Sequence, residues 1–142
     1  MYRKILLVED EKIPALKTAK IIQKHGFEVK TADTGEKAVD IIEEDPEISL
    51  ILMDIDLGEG MDGTETARTI LAKHTLPVVF LTSHSEKEYV DKVKQITRYG
   101  YVLKNSGEFI LIESINMAFE LFEAHKKVQE KEERYEALFY NS

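Results

Sequence analysis

The chain contains no cysteine, which excludes a disulfide scaffold, a thiolate zinc site and a cysteine nucleophile together. It is also short of positive charge: 19 Lys plus Arg stand against 27 Asp plus Glu, a formal net charge of −8. Binders of nucleic acid and anionic membranes draw affinity from lysines and arginines that neutralise phosphates, so neither partner is expected. Long apolar runs are missing too, and none approaches the roughly 20 residues a membrane helix needs. Met1-Tyr2-Arg3-Lys4 leads into only four apolar residues, Ile5 to Val8, too few for a secretory signal. The expected location is the cytoplasm. What remains is 142 residues, 43% hydrophobic and 32% charged, which is one globular domain with little left over.

Five short runs recur along the chain, each followed by a longer stretch of helical period: Ile5 to Val8, Val29 to Ala32, Leu50 to Met53, Val78 to Leu81 and Tyr101 to Leu103. Consecutive apolar residues suit strands buried on both faces, as in a parallel sheet covered by helices. Pro14 suits the first turn of a helix, Asp62 with Glu65 and Ser85 with Glu88 are spaced as N-cap and third-residue partners, and Gly26 stands at a helix end. Gly35 and Gly100 are expected in turns. The pattern predicts (βα)5, a doubly wound five-stranded parallel sheet whose functional crevice lies at the carboxyl ends of its strands.

The predicted strand tips carry Glu9-Asp10-Glu11, Asp54-Ile55-Asp56, Thr82-Ser83 and Lys104. Taken singly, each has an ordinary reading as a solvated loop acid, a turn residue or a surface charge. Their joint occurrence at four strand ends argues for one site. Clustered carboxylates resist ionisation unless a cation compensates, and a hard divalent ion, Mg2+ for preference, takes oxygen ligands. Lys104 and Thr82 add a fixed charge and a hydroxyl for an anion. The inventory suits a phosphoryl group, whose transfer is mostly positioning and charge neutralisation.

Over roughly residues 2–124 the sequence resembles the receiver domain of two-component response regulators, with a flavodoxin-like fold. The resemblance rests on Leu6-Leu7-Val8-Glu9-Asp10-Glu11, Leu50 to Leu57, Met61-Asp62-Gly63, Val79 to Ser83 and Gly100 to Lys104, in the family's order and spacing. It implies that Asp54 is the nucleophile, taking a phosphoryl group from a histidine kinase, a phosphotransfer protein or a small acyl phosphate. Asp10 and Asp54 would hold Mg2+, with the Asp56 backbone carbonyl as a third ligand and Glu9 acting directly or through water. Lys104 would pair with phosphoryl oxygens. Thr82 would move toward them and let Tyr101 turn inward, and the small Ser83 would leave an access path. Autodephosphorylation would reset this two-state switch.

The sequence departs from the family pattern at four places. The strand-one pair is Glu-Asp rather than Asp-Asp, the loop Leu57 to Met61 lacks a proline and is one residue longer, and Asn105 follows Lys104 where proline in a cis peptide is usual. A cis bond before a residue other than proline costs about 3–4 kcal/mol. Asp56 and His84 occupy variable positions that the resemblance links to phosphoryl lifetime. His25, His74 and His125 show no metal spacing and read as surface residues.

Residues 108–124 are expected to form a fifth helix, with helical composition continuing to about Leu138 as a linker over 125–142. Ile110, Ser114, Met117, Leu121, Ala124, Val128, Lys131, Tyr135 and Leu138 follow a 4-3-4-3 spacing. Two readings stand: a homodimer through a parallel coiled coil, or a single amphipathic helix whose end frays. Glu133 to Ser142 resembles the opening of a PAS domain, which implies a fragment of a longer protein with PAS and kinase domains downstream. Alternatives to the phosphoacceptor are a phosphatase resembling the haloacid-dehalogenase superfamily and a degenerate receiver that only binds partners. A flavodoxin-like FMN site is excluded by Glu9-Asp10-Glu11, whose charges would repel a phosphate in the first loop.

Overall fold

The structure, a computed structural model, describes residues 3–58, 60–83, 87–97 and 99–140. Strands β1 (Lys4–Val8), β2 (Glu28–Ala32), β3 (Ile48–Asp54), β4 (Val78–Thr82) and β5 (Tyr101–Leu103) alternate with helices α1 (Lys12–Lys24), α2 (Gly35–Glu44), α3 (Gly63–Leu71), α4 (Lys87–Ile96) and α5 (Glu108–Tyr140). All paired strands are parallel, in the order β2-β1-β3-β4-β5. This is the expected doubly wound receiver-type architecture with a long C-terminal helix.

Period-two alternation divides the core. Ile5, Leu7, Leu50, Leu52, Val79 and Leu81 face α1 and α5, where Ile22, Ile115 and Phe119 meet them. Leu6, Val8, Ile51, Met53, Val78 and Phe80 face the other way and pack with Ala38, Ile42, Ala67, Ile70 and Val93 of α2, α3 and α4. Strands buried on both faces need apolar residues at consecutive positions. The chain leaves β1 in one direction for β2 and returns past it to β3, so a crevice opens beyond their carboxyl ends.

Two expectations are corrected. The second strand is not buried on both faces: β2 lies at the sheet edge, with Lys30 and Thr31 exposed and Ala32 buried. An edge strand has one free side and tolerates polar residues there. Gly35 is the first residue of α2 rather than part of a turn, with the Thr34 hydroxyl accepting from the Lys37 N–H at 3.1 Å as the N-cap. The Asp62 cap forms as expected, its carboxylate accepting from the Glu65 N–H at 2.8 Å. Ser85 lies outside the described residues.

Helix α5 runs unbroken for 33 residues, about 50 Å at 1.5 Å per residue. Its N-terminal half anchors it: Leu111, Ile112, Ile115, Ala118 and Phe119 are buried. Beyond the half-buried Phe122, every described side chain of the helix is exposed. Burial changes after Phe122, with no break in the helix. Among the described residues, no helix is long and apolar enough to cross a membrane.

Candidate functional site

Parallel pairing aligns the strand ends, opposing Val8 to Met53, Asp54 to Leu81 and Thr82 to Leu103. Glu9, Asp54 and Thr82 are consequently sunk into the crevice floor, 5%, 1% and 2% exposed, while Asp10 stands at its exposed rim. One carboxylate oxygen from each of Glu9, Asp10 and Asp54 lies within 4.8 Å of the others. The Lys104 ammonium enters from β5 and donates to Asp54 Oδ2 at 3.0 Å and Glu9 Oε1 at 3.2 Å. Asp54 Oδ1 accepts from the Asp56 N–H at 3.1 Å, and Asp10 Oδ2 from the Gly58 N–H at 3.1 Å.

Burial pushes the Glu9 carboxyl up to about 8, and the neighbouring Asp54 carboxylate adds to the shift while Lys104 opposes it. Burial also disfavours the Lys104 charge, but its contacts with Asp54 and Glu9 outweigh that and raise its pKa. Two floor carboxylates thus share one ammonium. Glu9 Oε2 is buried and accepts no hydrogen bond among the described residues. An orphaned carboxylate oxygen beside two further carboxylates fits a hard divalent cation, which takes oxygen ligands from several directions.

Lys104 is held without a cis peptide, since none occurs among the described residues. Its N–H donates to the Thr82 carbonyl at 2.8 Å, and the Ser106 N–H closes a turn on Leu103 at 3.2 Å. Asn105 is left-handed at φ 69°, a conformation asparagine tolerates at the third position of such a turn. Asn105 therefore substitutes for the usual proline without displacing the lysine from Asp54.

The remaining expected residues are less central. Tyr101 is half-buried against the cluster containing Phe80 and Val93. The Asp56 side chain is exposed and does not belong to the carboxylate cluster. His84 lies outside the described residues. His25 pairs with Glu108 at 3.0 Å, His74 with Glu43 at 3.1 Å, and His125 stands edge-on to Tyr99, away from the cluster.

Two features escaped sequence reasoning. A Cβ on Gly63 would stand 2.0 Å from the Asp54 carbonyl oxygen and 2.8 Å from Ile55 Cα. Only glycine lets the start of α3 approach the end of β3 so closely. Glu36, at the start of α2, accepts the Met61 N–H at 2.9 Å, where an acid in the first turn of a helix has an ordinary explanation in the helix dipole.

The model of the response regulator receiver domain family matches residues 5–116, and the chain belongs to that family. The transcriptional regulatory protein PdtaR of Mycobacterium tuberculosis is 30% identical over 122 residues, covering 84% of this chain and 58% of the relative. The chain therefore spans 58% of the length of that curated relative. Among solved structures, the N-terminal domain of a response regulator/sensory box/GGDEF 3-domain protein from Carboxydothermus hydrogenoformans is 49% identical, with a TM-score of 0.79 over 86% of this chain and 98% of that one. A solved fusion chain that carries the trimeric coiled coil of yeast Spc42 is 44% identical, with a TM-score of 0.88, covering 99% of this chain and 92% of that one.

Proposed function

We propose that this receiver domain is a Mg2+-dependent phosphoacceptor switch that takes a phosphoryl group onto Asp54 and later releases it by hydrolysis. The observation that carries the reading is the Asp54 carboxylate, 1% exposed, held between the Lys104 ammonium and two further carboxylates. An Asp54 oxygen attacks phosphorus in line, the bond to the donor's imidazole nitrogen breaks, and the imidazole leaves after taking a proton. With a small acyl phosphate the carboxylate leaves instead. Glu9, Asp10, Asp54 and the Asp56 backbone carbonyl would hold Mg2+, which when bound neutralises charge on the transferring group. Lys104 pairs with a phosphoryl oxygen and orients it. Water attacking the acyl phosphate at phosphorus regenerates Asp54 and frees inorganic phosphate. Asp56 and His84 would tune the lifetime.

Thr82 would convey the change. It lies one residue beyond the Asp54–Leu81 pair, and its hydroxyl would move toward the phosphoryl group, letting Tyr101 turn inward. A phosphodonor, either a histidine kinase or a phosphotransfer protein, is supported by the surface beside the crevice. A cleft of about 580 Å³ joins Glu9 and Lys104 to Ile13, and Ile13, Leu16 and Phe109 are 72%, 58% and 73% exposed.

The receiver comprises residues 1–124 in this reading, and 125–142 form a helical linker entering a PAS-like domain, with kinase domains further on. The three-module composition in the name of the Carboxydothermus protein supports a sensory module after the receiver. A homodimer through α5 belongs to the same reading. Ile110, Met117, Leu121 and Val128 fall on the heptad seam and are 47%, 57%, 43% and 55% exposed. In a parallel pair, Lys127 of one helix meets Glu132 of the other at flanking positions, a complementary contact.

The haloacid-dehalogenase alternative has no observation in its favour, because the acidic pair precedes the nucleophile strand and the family match is to receivers. The degenerate alternative required Asn105 to misplace Lys104, which lies 3.0 Å from Asp54. Intact mass after incubation with acetyl phosphate and Mg2+ tests the proposal. One phosphoryl adduct is expected on the parent and none on Asp54→Ala; an unmodified folded parent overturns it, as does turnover of an aryl phosphate without an adduct.

A further inference from the structure

The loop between β3 and α3 lacks proline, yet it is pinned on both sides. At its start the Gly58 N–H donates to Asp10 Oδ2 at 3.1 Å. At its end the Met61 N–H donates to Glu36 Oε1 at 2.9 Å. Between them Gly60 takes φ 92°, and a Cβ there would stand 2.8 Å from Glu36 Oε1 and 3.2 Å from Oε2. Gly35 seats the neighbouring α2 backbone against Met61, its Cβ position lying 3.1 Å from Met61 Cβ and 3.3 Å from the Met61 carbonyl oxygen. The helix-dipole explanation accounts for an acid at position 36 but not for a carboxylate seated on the loop backbone. The Met61 N–H is the foremost cause holding the Glu36 carboxyl below its ordinary range.

We propose that Glu36 is a positioning residue for the cation site, holding the β3–α3 loop so that the Gly58 N–H aims the Asp10 carboxylate at the crevice. Glu36 reaches the ligand set through hydrogen bonds at two points of one loop, and does so from a helix that contributes no ligand. It takes over the fixing of a loop that lacks proline's rigid φ. The assignment rests on the proposed Mg2+ site for its functional consequence, but the two hydrogen bonds are contacts within the protein and can be read without metal.

The test uses Glu36→Ala and Glu36→Gln. Both remove the negative charge, and only glutamine keeps a carbonyl acceptor for the Met61 N–H. In the metal-free protein, Glu36→Ala is expected to speed hydrogen exchange at the Met61 amide and to shift the Gly58 amide resonance, 22 positions away in sequence. Glu36→Gln is expected to leave both near the parent. Mg2+ titration is expected to show about tenfold weaker binding for Glu36→Ala, the scale of a lost outer-shell contact, with most of the affinity restored in Glu36→Gln. An unmoved Gly58 amide in Glu36→Ala overturns the positioning role, as does equal weakening in both variants, which would reduce Glu36 to a remote charge. Absence of saturable Mg2+ binding by the parent counts against the crevice reading, and the amide measurements still decide the loop.

Discussion

In the crevice, Glu9 and Asp54 are 5% and 1% exposed and share one ammonium, whereas beyond Phe122 every described side chain of α5 faces solvent. The ionisation of Glu9 and of Lys104 is set by neighbours from the tips of β1, β3 and β5. The distal helix buries none of its described side chains, although His125 still stands edge-on to Tyr99. The proximal half of the same helix shows what a partner provides: Ile115 is fully buried while Val128 is 55% exposed. In the proposed reading, the chemistry lies where the chain is crowded and the dimer seam where its side chains are exposed.

Either region can be perturbed by itself. Ile115→Ala removes a fully buried side chain and is expected to cost about 2–5 kcal/mol, measured by urea unfolding. Lys104→Ala leaves Asp54 and Glu9 without their shared cation and should slow phosphorylation by acetyl phosphate about 100-fold, with folding retained. A smaller effect is a pH dependence. In metal-free protein the raised Glu9 carboxyl binds a proton more tightly than in the unfolded chain, so its stabilisation is complete below about 4.5 and is lost as pH rises toward about 8. Unfolding across that window should show the decline in the parent and a flatter profile in Glu9→Gln. Asp62→Ala removes the cap of α3 and should cost about 1 kcal/mol. At the bare end, Val128→Asp should change unfolding stability by no more than about 0.5 kcal/mol while abolishing the proposed α5 homodimer, read by sedimentation.

The strand tips were legible because apolar runs end where polar residues begin, and parallel topology brings those ends together. Strand-end position alone marks Glu9, Asp10, Asp54, Thr82 and Lys104. It could not separate the buried Glu9 from the rim-exposed Asp10, since neighbours in sequence here point into different surroundings. Val29 and Ala32 make β2 resemble a buried strand, whereas the polar Lys30 and Thr31 between them reflect its edge position. Tyr99 and Tyr101 are two residues apart, the spacing of one strand face. They nevertheless pack on opposite clusters, Tyr99 on the one facing α1 and α5, edge-on to Phe122, and Tyr101 on the one containing Phe80. The Glu36 contact was invisible because it joins α2 to a loop 25 positions later through one backbone N–H.

The atom that carries the phosphoryl group decides whether the crevice works as proposed. Borohydride reduces an aspartyl phosphate to homoserine, so peptide mapping after reduction locates the acceptor. Homoserine at position 54 alone, formed only when both acetyl phosphate and Mg2+ are supplied, is the expected result. Homoserine at position 10 or 56 with position 54 unchanged would contradict it, as would equal labelling when Mg2+ is chelated.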